Sequence, residues 1–181
     1  MAKLLPRGSH VDARTVIDAE GRAVAPGFIN VLSWATESLI ADGRGMSDTK
    51  QGVTLEIFGE GWSMGPLNER MKADALKRQG DIRYPIDWTT LGDYLENLEA
   101  RGITPNVASF VGATTVRTHE LGEGDVAPDA KQLAAMQARV REAMAEGALG
   151  VGASLIYPPA FFARTDELTA LAQAAAESGG G

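Results

Sequence analysis

The chain has 181 residues, 44% of them hydrophobic and 23% charged, with a formal net charge of −7 and no cysteine. That length suffices for one domain with its own core. The acidic balance disfavours nucleic acid and anionic membrane surfaces, which need clustered Lys and Arg, and the missing cysteine excludes disulfides and thiolate metal ligands. A reducing, cytoplasmic setting fits this composition. No apolar run has the length of a membrane helix, and the partner class left open is a neutral or cationic small molecule.

Met1 to His10 has no signal-peptide apolar region and reads as a linker of the kind left by a cleavable tag. Residues 1–13 are therefore set aside, His10 among them. Val16-Ile17 and Val24 flank a turn at Glu20-Gly21, which predicts a short hairpin. Gly27 to Val31 is a compact apolar run after Pro26, expected as a first strand covered on both faces, with Asn30 its only polar residue. Glu37 to Lys50, carrying Gly43 and Gly45, predicts only short or irregular helix.

Val53 to Phe58 is a second strand, rich in β-branched residues, and runs into the glycine-rich loop Gly59-Glu-Gly-Trp-Ser-Met-Gly-Pro66. Asn68 to Gln79 reads as a helix. Thr90-Leu-Gly-Asp93 has the spacing of a capping box for another, whose Leu91, Tyr94, Leu95 and Leu98 form a core stripe. A third strand is expected over Asn106 to Val111, then a polar loop over Gly112 to Asp125. Asp129 with Gln132 caps a helix bearing Leu133, Met136, Val140 and Met144, ended by Gly147. A fourth strand, Ala148 to Leu155, and a helix from about Thr165 with Leu168, Leu171 and Ala175 inward complete the series.

Four strands that each precede helical pattern make repeated βαβ units and a parallel sheet. A doubly wound open sheet competes with part of a (β/α)8 barrel, which takes about 250 residues when whole. No Gly-x-Gly-x-x-Gly or Walker loop supports nucleotide binding, and Gly59-Glu-Gly61 and Gly150-Val-Gly152 are too short to count. Ser33 has no visible His and Asp partners for a triad.

Val16 to Ile29, Gln51-Gly-Val-Thr54, Gly61-Trp-Ser-Met-Gly-Pro66, Asn106-Val-Ala with Val111-Gly112 and Thr115-Val-Arg117, and Gly147-Ala-Leu-Gly150 with Leu155-Ile-Tyr-Pro-Pro159 occur in the order of one family's motifs. Together they resemble the N-acyl-D-amino-acid deacylase branch of the amidohydrolase superfamily, over residues 14–181. The resemblance implies a partial TIM-type barrel of about four βα units, a half-barrel, with a short N-terminal hairpin. It also implies metal-dependent hydrolysis of the amide of N-acyl-D-amino acids, extending to esters or phosphoesters. In such sites zinc activates a bound water and polarises the carbonyl, while a carboxylate moves protons.

Carried over by position, the family's strand-one His-x-His falls on Leu32 and Trp34, which cannot ligate a metal. Its strand-two ligand falls on Glu60, an oxygen donor acceptable to zinc. A His after strand three falls on Ala113, and Tyr157 matches a position lining the substrate pocket. The remaining ligands and the catalytic Asp belong to strands five to eight, so no catalytic residue is assigned. The candidates are Glu60 and His119 for metal, with zinc as cofactor, and Tyr157 and Trp62 for substrate. Each has a plainer alternative: a solvated carboxylate, a surface histidine, a cover for the sheet end, and packing of Trp62 with Trp34. The competing expectations for the whole chain are a truncated half-barrel that self-associates as a homodimer to cover its open edges, and a non-catalytic small-molecule binding module.

Overall fold

The computed structural model describes residues 5, 6 and 8–180; the rest of the linker-like stretch and position 181 lie outside the described residues. Strands β1 (Phe28–Asn30), β2 (Val53–Phe58) and β3 (Asn106–Ser109) form a parallel sheet in that order. Gly27 lets β1 enter beside β2, because a Cβ there would overlap the Thr54 side chain. Strand β2 has the bounds its β-branched pattern predicts.

The third predicted strand is interrupted. β3 ends at Ser109, and β4 (Val111–Gly112) pairs in parallel with β5 (Val151–Gly152) as a second small sheet. Two bonds bridge the break: Phe110 donates its N–H to the Phe58 carbonyl at 2.9 Å, and Leu149 donates to the Ser109 carbonyl at 2.9 Å. Four consecutive chain segments thus run parallel and side by side. No closed barrel is present among the described residues. The predicted fourth strand shrinks to two residues because β4 offers only two for it to pair with.

Helices α1 (Ser38–Ala41) and α2 (Met46–Thr49) are single turns, as the glycine-containing segment suggested. α3 (Glu69–Arg78) starts where the Asn68 side chain accepts the Met71 N–H at 3.0 Å. α4 (Leu91–Arg101) and α6 (Ala130–Ala145) both begin with complete capping boxes, Thr90 with Asp93 and Asp129 with Gln132. α7 (Thr165–Ala176) buries Leu171 and Ala175 against α6.

Two expectations are corrected. The hairpin is absent: residues 14–25 hold only the turn closed by Arg22 N–H on the Ala19 carbonyl at 2.8 Å, and Val16, Ile17 and Val24 remain exposed. A two-stranded hairpin is marginal unless a third strand or helix covers it, and no element among the described residues does so. The polar loop expected over 112–125 is largely a helix, α5 (Ala113–Leu121), buried from Ala113 to Thr118.

The reason is tertiary. Thr114 donates its N–H to the Gly61 carbonyl at 2.9 Å, Thr115 Oγ1 accepts the Ser63 N–H at 2.8 Å, and Arg117 pairs with Glu167 on α7 at 2.6 Å. These partners override weak intrinsic helix propensity. The core between sheet and helices contains Phe58, Trp88, Tyr94, Leu98, Val116, Met136, Val140 and Leu171. Each large apolar side chain so buried contributes about 1.5–3 kcal/mol.

Candidate functional site

Strand β2 delivers the loop 59–66 at its carboxyl end, the side of a parallel sheet where ligands bind. Gly59 and Gly61 both have positive φ, +96° and +76°, and a Cβ on Gly59 would overlap the Phe110 carbonyl. Glu60 is thereby held between two residues that only glycine satisfies. A cleft of about 480 Å³ opens beside it, bounded by the end of β1, the 59–66 loop and α3.

The cleft wall mixes apolar and charged groups. Trp34 and Trp62 stand at 63% and 39% exposure. Met64, Leu67 and Met71 form the apolar part, and Glu37, Glu60, Asp74 and Glu123 face two guanidiniums, Arg70 and Arg78. Arg78 is paired with Glu123 at 2.9 Å, and Arg70 donates to the Thr118 carbonyl at 3.0 Å. The Tyr84 hydroxyl donates to Glu37 at 2.7 Å; burial, then this carboxylate, push the phenol well above its ordinary range and keep it neutral.

Behind the wall lies a pair that the sequence reading did not single out. Ser33 donates its hydroxyl to Glu56 in a short hydrogen bond, Glu56 is 0% exposed, and its other oxygen, Oε1, has no partner. The signal was available in β2, where the two-residue period puts Glu56 on the same face as buried Phe58.

The four candidates divide among three places. Glu60 and Trp62 line the main cleft together. His119, on α5, lines a separate shallow cleft with Asn68 and Arg70, where its Nδ1 is 2.8 Å from Glu120. Tyr157 is 65% exposed and lines neither cleft. Trp34 and Trp62 share the cleft, yet the aromatic pairs among the described residues are Tyr84–Trp88, Trp88–Tyr94 and Phe161–Phe162. Ala113 begins α5 as a buried residue, and Leu32 is exposed at the end of β1. No three His, Asp or Glu side chains converge among the described residues, so this donor set does not by itself fit a metal centre.

No family model matches the chain. Individual relatives do. N-acyl-D-aspartate deacylase of Alcaligenes xylosoxydans xylosoxydans is 35% identical over 167 residues, covering 91% of this chain and 33% of the relative. D-aminoacylase of the same organism is 32% identical over 176 residues, covering 95% and 36%. Among solved structures, D-aminoacylase superposes with a TM-score of 0.72 at 31% identity, over 86% of this chain and 33% of that one. The N-acyl-D-glutamate deacylase of Bordetella bronchiseptica superposes with a TM-score of 0.71 at 30% identity, over 84% and 32%.

D-aminoacylase has a binuclear metal centre, and the glutamate deacylase was solved with zinc and a phosphonate mimic of the tetrahedral intermediate. The chain spans about a third of the length of these relatives. No described helix is long and apolar enough to cross a membrane. By sequence and by fold, over that third, the chain belongs with the N-acyl-D-amino-acid deacylases of the amidohydrolase superfamily.

Proposed function

We propose that the chain is a half-barrel portion of a TIM-type hydrolase that cleaves the amide C–N bond of N-acyl-D-amino acids, and also activated esters or phosphoesters. The observation that carries this reading is the cleft at the carboxyl ends of β1 and β2, in a chain that matches deacylases over nine tenths of its length. Trp62 and Tyr157 serve the substrate side, and Glu60 and His119 the metal side. The reading assigns the work to a reducing compartment such as the cytoplasm, where a chain without cysteine loses nothing. Because Glu60 and His119 open on different clefts, a complete metal centre requires groups beyond those this chain brings together.

The test is chiral chromatography of the amino acid released from paired N-acetyl-D- and N-acetyl-L-amino acids, with zinc and with chelator. D-selective release that falls in Glu60→Ala supports the reading. Release equal in both enantiomers, or unchanged in Glu60→Ala, contradicts it.

A second reading concerns the physical state, and a specific observation favours it. Phe28, Ile29, Val31, Leu32 and Trp34 are exposed along one edge of the sheet, and Leu155, Ile156, Tyr157 and Phe161 at the opposite end. Uncovered edges and apolar runs of this kind associate. A second copy covering them makes a homodimer, which also brings a second set of Glu60, His119 and Tyr157 to the assembly. Light scattering at micromolar concentration gives a dimer mass on this reading, and Val31→Lys shifts it to monomer. A monomer at every concentration overturns it.

A further inference from the structure

Helix α5 is bonded to two walls of the strand-end cleft, the 59–66 loop and α3. At its start, Thr114 donates its N–H to the Gly61 carbonyl at 2.9 Å, and Thr115 Oγ1 accepts the Ser63 N–H at 2.8 Å while donating to the Ser63 carbonyl at 3.3 Å. Near its end, the Thr118 and His119 carbonyls accept hydrogen bonds from Arg70 and from the Asn68 amide, each at 3.0 Å, which holds the first turn of α3. Arg117 fixes the same helix to α7.

Thr115 is 0% exposed and Ser63 7%, so these bonds lie out of reach of bulk water. A single hydroxyl serves both main-chain groups of Ser63, and the Ser63 hydroxyl in turn accepts the Gly112 N–H at 2.9 Å and donates to the Gly65 carbonyl. Glu60 precedes Gly61, whose carbonyl Thr114 holds, and Trp62 precedes Ser63, so both cleft residues hang from anchored neighbours. Without the Thr115 hydroxyl, a buried N–H and a buried carbonyl lose their partners, a larger penalty than the net gain of either bond. The loop relieves it by moving out toward water, and Glu60 and Trp62 move with it.

We infer that Thr115 is a positioning residue: through Ser63 it sets where Glu60 and Trp62 stand at the end of β2. The other anchors of the loop do not replace it. Trp88 holds the Met64 carbonyl at 2.7 Å, and the Thr89 carbonyl holds the Leu67 N–H at 2.8 Å, both beyond Ser63 from Glu60. The hydroxyl is the working group and the methyl is not, so Thr115→Ser keeps the position and Thr115→Val, similar in shape, loses it. The positional inference stands on geometry alone. Where it joins the hydrolase reading, on which this consequence rests, kcat/KM falls, because a misplacement of about 1 Å at a reacting site costs up to about a hundredfold.

The test is acrylamide quenching of tryptophan fluorescence in the full chain carrying Trp34→Phe. Trp88, at 2% exposure, is shielded, so the quenched signal belongs to Trp62. Thr115→Val shifts the emission to longer wavelength and steepens quenching, and Thr115→Ser returns both to the parent values. Thr118→Val, which removes a buried hydroxyl without a partner on the same helix, leaves them in place. Ser63→Ala, which takes the acceptor from the Gly112 N–H, shifts the signal in the same direction and serves where circular dichroism finds Thr115→Val unfolded. Neither metal nor turnover enters this measurement, so its result is separable from failure of the hydrolase reading. Where the chain turns over N-acetyl-D-amino acids, folded Thr115→Val loses at least about tenfold in kcat/KM and Thr115→Ser recovers it. Parent fluorescence or unchanged kcat/KM in folded Thr115→Val, parent fluorescence in Ser63→Ala, a shift that Thr115→Ser fails to reverse, an equal shift in Thr118→Val, or failure of both Thr115→Val and Ser63→Ala to fold overturns the inference.

Discussion

Replacing Glu167 by Gln removes the charge opposite Arg117, the largest fully buried side chain among the described residues. The two side chains are 1% and 3% exposed and meet at 2.6 Å, tying α5 to α7. Arg117 Nε already lacks a partner, so the guanidinium is left with the Val126 carbonyl, at 2.6 Å from Nη2. Breaking one side of a buried ion pair costs about 3–5 kcal/mol. The surviving carbonyl bond places the loss toward the lower end, about 3 kcal/mol, or about 6–12 °C in Tm for a chain of this size.

Removing both charges, as Arg117→Met with Glu167→Leu, restores most of the loss, because neither desolvated charge remains. Urea unfolding followed by circular dichroism, with the m-value held common, measures all three proteins against wild type. Glu167→Gln within about 1 kcal/mol of wild type, or a double variant no better than the single one, refutes the view that α5 is a buried helix clamped by this pair.

Three further perturbations test the frame around the cleft. Gly59→Ala forces a Cβ into the Phe110 carbonyl at positive φ and is expected to cost more than about 2 kcal/mol by urea unfolding, whereas exposed Gly80→Ala stays within about 1 kcal/mol. Thr90→Ala and Asp129→Ala each remove a capping box and lose about 1 kcal/mol in the same assay; additivity in the double variant shows that α4 and α6 are capped independently.

Burial raises the phenols of Tyr84 and Tyr94 above their ordinary value of 10.0. The neutral forms are favoured in the fold, so this stability is fully present below about pH 10 and is lost as pH rises beyond it. Tyrosinate absorbance and urea midpoints followed upward from pH 9 are expected to show late ionisation coinciding with unfolding. Free titration of all three tyrosines in the folded protein contradicts it.

What could be read from the chain follows the kind of force involved. Strand β2 and the starts of α4 and α6 depend on local chemistry, a β-branched run and side chains that reach backbone N–H groups three residues on, and these are visible in sequence. The hairpin had a genuine turn at Glu20-Gly21 but no covering layer for Val16, Ile17 and Val24, and a turn alone does not hold two strands. α5 was hidden because Ala113-Thr-Thr-Val-Arg-Thr118 shows no apolar period. It is buried through Thr115, Arg117 and bonds to residues about fifty positions away.

The site divides in the same way. Glu60 stood out by its two glycines, and the structure places it on the cleft wall. Whether His119 and Tyr157 share a cleft with Glu60 was not legible, since sequence order says nothing of which cleft a side chain enters. The Ser33–Glu56 pair spans 23 positions and two strands, and pairing register decides it rather than either local segment.

The most direct measurement is the rate at which the purified chain, at concentrations spanning its association range and with zinc supplied, releases free amino acid from N-acetyl-D-amino acids and their L-enantiomers. The account predicts D-selective release that rises with association and is lost in Glu60→Ala. Release without enantiomer preference, or D-selective release that Glu60→Ala leaves intact, contradicts it.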